Sequence, residues 1–367
     1  MATLNLGPAR RALAVLLLSL CGATACGTQG DASVLPDRWP RSGLSGYRFV
    51  DADAPYALGR LGWDLDEPTV LAAATPAAGS DHFEVWGRMS PRLSPEKTVL
   101  FRASLPVAKP NAEAEPDEVL AAEAAWEGVG LRSPALVRLA GVDGLEQVVL
   151  FYQGSGGDIG LATIKGDVVQ RVSQSAPLWS VTQLAGAAGA QVGRVAVAAV
   201  GQHIYLFFTV DDRELRVAEC ERTALWRYLA SPDLPPPLRL GPTLLVAGAV
   251  QVPPGDSKAV PAERIGQVAV RRQITPVGRV RWDVALNGQA GRDTVLLAAS
   301  AYAAPPNTSE DPARVGPVTE LLAVEAALIK TMEGVVGAPT FATVGGRQLL
   351  LFGLRSVGSQ IAVAAQP

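Results

Sequence analysis

The chain has 367 residues, 48% of them apolar, and a formal net charge of −3. That length can bury a large core. The pI near 5.6 and the lack of a basic stripe argue against nucleic acid as the main partner.

The N-terminus reads as a targeting segment, residues 1–25. Arg10 and Arg11 precede a short apolar run, Ala12–Leu20, then the small residues Gly22–Ala25 and Cys26. A run this short cannot cross a bilayer as a helix, which needs about 20 residues, and it reads as a bacterial export signal. It resembles a lipoprotein signal, in which cleavage before a cysteine leaves that residue lipidated. Cys26 is the residue placed for this, and a soluble secreted product is the alternative. The resemblance implies a membrane-anchored protein of the cell envelope. Past the signal no stretch is long and charge-free enough to span a membrane. Cys220 alone cannot build a disulfide framework after cleavage and reads as a buried apolar residue. Residues 26–45, rich in Gly, Pro, Ser and Arg, read as a tether.

Residues 46–367 carry one pattern of three short apolar strands, written five times. The first elements begin at Pro68, Pro134, Gly193, Gly266 and Pro339, spaced by about 66, 59, 73 and 73 residues. The second elements include HFEVWGRMS from His82, QVVLFYQGS from Gln147 and HIYLFFTVD from His203, and the third elements close each repeat. β-Branched and aromatic runs bounded by Gly, Asp and Pro are strand chemistry. Several inner runs are apolar on both faces, as strands sandwiched between neighbouring blades should be. The spacing has the scale of a propeller blade, so the fold class is all-β, a five-bladed β-propeller. The last repeat stops at its third strand, so a segment near Tyr47–Val50 is expected to pair with Gln360–Ala364, close the ring and remove an open edge.

EVLAAEAAWEG from Glu118 reads as an outer strand and loop. A helix is the alternative, more so for ELLAVEAALIKTMEG from Glu320. The glycine-rich segment Gly154–Gly160 joins two strands and is a hairpin, not a phosphate cradle. Asp211–Asp212 is an acidic turn at the corresponding hairpin of the third repeat. His82 and His203 stand at equivalent repeat positions and mark a repeated turn rather than a metal pair. Metal and cofactor motifs are absent from the sequence.

At the second repeat, AAWEGVGLRSPALV followed by VVLFYQGSGGDIGLATI and SAPLW resembles the five-bladed propeller glycosidases, the arabinanases, β-xylosidases, invertases and levansucrases. The resemblance implies three carboxylates at the inner ends of the first strands of successive blades: a nucleophile or base, a group that tunes the acid, and the acid itself. In the first blade Glu67 stands directly before Pro68, where the family has Asp, with Asp66 and Asp64 behind it. In the second blade the family's Arg-Asp-Pro stands as Arg132–Ser133–Pro134, and serine cannot carry the charge. In the third blade the acid should lie near Gly193, but residues 168–210 contain no Asp or Glu. Glu127 or Glu263 would have to reach in from elsewhere.

The expected function is therefore an envelope propeller, lipid-anchored through Cys26, that binds carbohydrate or an envelope protein without catalysis. Its funnel would be lined by Asp64, Asp66, Glu67, Arg132, Ser133, Arg194 and Glu263, with Trp63 or Trp126 stacking on a sugar. The alternatives are a divergent glycoside hydrolase using Asp66 or Glu67, and a scaffold in an envelope protein complex.

Overall fold

Apolar runs bounded by turn residues pair in antiparallel register throughout the chain. The computed structural model of the protein describes residues 48–50, 56–71, 81–112, 114–141, 146–249, 251–252, 260–274, 280–290, 293–302, 335–355 and 359–365. The signal segment, Cys26, the whole tether and the run from Glu320 lie outside the described residues.

Two short strands come first, β1 (Arg48–Phe49) and β2 (Tyr56–Leu58). A four-stranded sheet follows in the order β3 (Trp63–Val70), β4 (His82–Pro91), β5 (Val99–Pro106) and β6 (Asp117–Leu120). The next has β7 (Leu131–Ala140), β8 (Glu146–Gly154), β9 (Ile159–Lys165) and β10 (Val168–Arg171). A third has β11 (Ala196–Val200), β12 (His203–Val210), β13 (Glu214–Glu221) and β14 (Arg239–Val246). A small pair, β15 (Gln251–Val252) and β16 (Val260–Pro261), precedes a sheet of β17 (Arg264–Ile274), β18 (Val280–Ala290) and β19 (Asp293–Tyr302). The last sheet holds β20 (Val335–Val344), β21 (Arg347–Arg355) and β22 (Ser359–Ala365), and both β1 and β2 pair with β22. The β1 register sets Phe49 opposite Ala364.

The first strands pack on one another in sequence: β3 on β7, β7 on β11, β11 on β17, β17 on β20, and β20 back on β3. This is an all-β propeller. Each sheet packs face to face against its neighbours, so middle strands are buried on both sides. In β12, Ile204–Val210 is buried without alternation, as the doubly apolar run HIYLFFTV requires. Tryptophans fill the space between sheets. Trp282 meets Tyr205 and Phe207 at ring-centroid distances of 5.6 and 5.1 Å. Trp179 stacks on Phe151 at 6.2 Å and donates its indole N–H to the Pro236 carbonyl at 2.9 Å. Each such side chain contributes roughly 1.5–3 kcal/mol through burial.

The segment from Glu118 forms the end of outer strand β6 and then a short 3-10 turn, Ala125–Glu127. Glu127 is fully buried there. It accepts from the Tyr152 hydroxyl at 2.8 Å, from Arg171 Nε at 2.7 Å and from the Glu123 and Ala124 N–H groups. It is a structural tie between the first two sheets and does not reach the axis. Cys220 is buried, and burial pushes its thiol up to about 12.

Candidate functional site

Each first strand carries a bulge where two residues face one on its neighbour. The register skips between Asp66 and Thr69, Arg132 and Ala135, Gly266 and Ala269, and Val336 and Pro339. Ahead of β11 the Gly193 N–H bonds the Thr209 carbonyl, and ladder pairing resumes at Ala196 opposite Phe207, leaving Arg194 and Val195 in the same position. The leading bulge residues are thus Glu67, Ser133, Arg194, Gln267 and Gly337. Pro68 and Pro134 follow two of them, at positions where the ladder needs no N–H. Glu67, Ser133 and Gln267 have φ of 54°, 53° and 48°. Left-handed backbone at a side-chain-bearing residue costs about 1–3 kcal/mol and concentrates at functional sites.

These residues and their neighbours form a charged floor. Glu67 Oε2 accepts the Ser133 N–H across the β3–β7 interface, and Oε1 lies 3.7 Å from Arg88 of β4. Asp66 Oδ1 accepts the Glu67 N–H at 2.7 Å, while Oδ2 lies 3.5 Å from Arg88. The Asp66 carboxylate presses against β20 and β21. A Cβ on Gly337 would stand 2.6 Å from Asp66 Oδ1, and one on Gly353 only 2.1 Å, so both positions need glycine. Arg194 crosses the axis from the third sheet. It donates Nη1 to the Pro339 carbonyl at 2.7 Å and Nη2 to the Pro68 carbonyl, which ties the last and first sheets together.

The two adjacent carboxyls are driven apart. Burial raises Asp66, Glu67's charge adds to this, and Arg88 only partly opposes them, so its pKa stands above the ordinary aspartate value. Burial also acts on Glu67, but Arg88, the Ser133 N–H, Arg194 and Arg132 outweigh it and hold this carboxyl below the ordinary range. Burial draws Arg194 down to about 10, against the pull of Glu67 and Asp66, which leaves it charged at neutral pH.

Above Asp66 a pocket of about 320 Å³ opens between the first, third, fourth and last sheets. Asp66, Arg88, Asp212, Arg264, Gln267 and Asn287 are among its lining residues. Asn287 donates Nδ2 to Gln267 Oε1 at 3.3 Å, which orients both amides. Of the residues expected from sequence, Asp66, Glu67, Arg132, Ser133 and Arg194 gather at the floor. Arg132 there donates to the Val192 carbonyl at 3.2 Å. Asp64 sits higher, with its Oδ1 taking the Arg92 Nε–H at 3.2 Å and the Ser359 N–H at 3.0 Å. Glu263 is exposed beside β17.

Neither tryptophan lines this pocket. Trp63 is partly buried, with the Arg60 guanidinium 5.0 Å from its ring centroid. Trp126 stacks on Tyr152 at 5.9 Å, against Gly160, in the layer between the first two sheets. Sequence reasoning missed Arg88, Gln267, Asn287 and the second carboxylate of the pocket, Asp212. Asp212 is a turn residue at φ 53°, as its sequence suggested, and its turn lies at the pocket wall. Among the described residues no group of three or more His, Cys, Asp or Glu side chains is placed to hold a metal ion, and no helix is long and apolar enough to cross a membrane.

No protein-family model matches the chain, and no curated protein matches it in sequence. Solved structures do resemble it in fold. The catalytic domain of Coprinopsis cinerea GH62 α-L-arabinofuranosidase superposes with a TM-score of 0.51 at 10% identity, covering 88% of this chain and 95% of that one. The endo-arabinase of Bacteroides thetaiotaomicron gives 0.51 at 10% identity, over 82% and 94% of the two chains. A levansucrase mutant of B. megaterium gives 0.51 at 10% identity, over 87% and 85%. At this identity the likeness speaks for the all-β propeller fold alone.

Proposed function

We propose that the protein is a five-bladed propeller, its ring closed by the N-terminal strands on β22, that binds carbohydrate in its funnel without hydrolysing it. The observation that carries this reading is Arg194. It is buried at the third-blade bulge, the position equivalent to Glu67, near where a propeller glycosidase would hold its acid. Ser133 takes the second-blade position. A guanidinium cannot protonate a leaving oxygen at neutral pH. Fixed beside Arg88, it also opposes the positive charge that an oxocarbenium-like transition state develops. Amide and guanidinium groups in the pocket above supply the donors and acceptors that sugar hydroxyls need. The neighbours in fold include an α-L-arabinofuranosidase solved with cellotriose and a protein in complex with RGII, which supports a glycan as the ligand class.

Arg264 is exposed at the pocket wall, so its truncation leaves the core intact. Titration of arabino-, xylo- and fructo-oligosaccharides should give saturable binding to at least one of them, weakened about tenfold in Arg264→Ala. Binding to none would end the carbohydrate reading.

A second reading rests on one observation, that Asp66 and Asp212 line the same pocket. Asp66, with its raised pKa, would be the acid of a divergent hydrolase and Asp212 its partner. Product release abolished by both Asp66→Asn and Asp212→Asn would establish it.

The export and anchoring reading stands on the signal alone. Lipid on Cys26 would hold the propeller at the cell envelope. Cys26→Ser is expected to move the protein from the membrane fraction to the soluble fraction; unchanged fractionation would remove the anchor.

A further inference from the structure

The central channel has a second compartment at its other end. Past the bulges the same first strands continue, and their side chains enclose a cavity of about 440 Å³, within the roughly 300–1,000 Å³ typical of small-ligand pockets. The bulge residue Arg194 is held by backbone carbonyls of β3 and β20. Its guanidinium therefore sits at the bulge level, between this compartment and the pocket above.

The lower wall carries more apolar side chains than the mouth. Leu71, Leu136, Val197, Val270 and Phe341 give it an apolar throat, and Leu71, Val197 and Val270 are only half-buried. Among the described residues no carboxylate lines it, whereas Arg138, Arg271 and Arg272 do. Arg271 is fixed: it donates to Asp283 Oδ2 at 3.0 Å and to Gln348 Oε1 at 2.6 Å, and lies 4.8 Å from the Phe341 ring centroid. Arg138 pairs with Glu146 at 3.0 Å. Arg272 is exposed and makes no ion pair among the described residues. An apolar throat bordered by an uncompensated guanidinium complements an anion with an apolar body.

We infer that this lower compartment is a second ligand site, for a medium-chain aliphatic carboxylate whose chain lies in the throat and whose head group meets Arg272. It is separate from the funnel mouth and independent of what the mouth binds.

The test is calorimetric titration of the full chain with dodecanoate below its micelle concentration, with dodecanol as the uncharged control. The expected result is saturable binding of the carboxylate, with dodecanol weaker by about tenfold or more. Arg272→Glu, an exposed change, should weaken the carboxylate by at least that factor and leave dodecanol unchanged. Ala199→Trp, at an exposed position on the cavity wall, should fill the throat and abolish both. Circular dichroism and the melting temperature report whether each variant is folded. Should Ala199→Trp misfold, the Arg272→Glu comparison decides alone. Absence of saturable binding to the wild type, equal binding of carboxylate and alcohol, or carboxylate affinity unchanged in Arg272→Glu would overturn the inference.

Discussion

Glu67→Gln is expected to lower the stability of the fold by about 3 kcal/mol at neutral pH, the low end of what breaking a buried charge pair costs. Glu67 is 4% exposed and faces Arg88 while accepting the Ser133 N–H. Glutamine keeps the shape but removes the charge. Arg88 is then left with Asp66, which burial already pushes toward its neutral form, and Arg194 loses its largest compensating charge. The pH dependence follows from the direction of the Glu67 shift. Its folded pKa lies below the ordinary glutamate value of 4.5, so its contribution is complete above that value and disappears as the pH falls through the folded pKa. Urea unfolding at pH 7 should separate wild type and variant clearly, and the gap should close on acidification. A gap that is absent at pH 7, or that widens in acid, would contradict this account of the floor.

Glu127→Ala should cost more, about 3–5 kcal/mol, because four partners lose their acceptor at once. The carboxylate has no exposed surface and holds Arg171, the Tyr152 hydroxyl and two backbone N–H groups. Burial alone would raise its pKa; Arg171, the two N–H groups and Tyr152 reverse this and leave it lowered. Like Glu67, it stabilises above pH 4.5 and stops doing so in acid. Burial first, then the same charge and hydrogen bond, raise the Tyr152 phenol, so Tyr152 stays neutral and donating across the working range. Thermal melts at neutral pH measure the effect, and a loss under about 1 kcal/mol would show that Arg171 finds full compensation in Glu123, 3.1 Å away. The sugar affinity proposed for the mouth should survive the change, since Glu127 is not among the pocket's lining residues.

The strands were legible because burial on both faces leaves a local trace: HIYLFFTV and QVVLFYQG have no polar alternation to mistake for a solvent face. The GSGGD hairpin and the Asp211–Asp212 turn were legible for the same reason, since left-handed turns select Gly and Asp within a few residues. The floor was legible only as a set of residue types. Asp66, Glu67, Ser133 and Arg194 stood out in the sequence, but Arg194 reaches partners 126 and 145 residues away, and nothing local encodes that reach. The bulges left a fainter signal. A proline in an interior strand, as in Glu67–Pro68 and Ser133–Pro134, is tolerated at a bulge and seldom elsewhere. The pocket wall gave least. Arg88, Gln267 and Asn287 are polar residues in strands, which read as solvent-facing until the ring turns them toward a shared axis. Arg88 was the most readable of these, as a lone charge within the apolar run VWGRM.

The proposed binding of glycan in the funnel without cleavage is decided by following new reducing ends while arabinan and arabino-oligosaccharides are held at saturating concentration with the protein. The expected result is saturable binding with no release above the protein-free control, at any pH between 4 and 8. Release that is removed by Asp66→Asn or Glu67→Gln in a folded variant would contradict it, and would make the funnel the active site of a hydrolase.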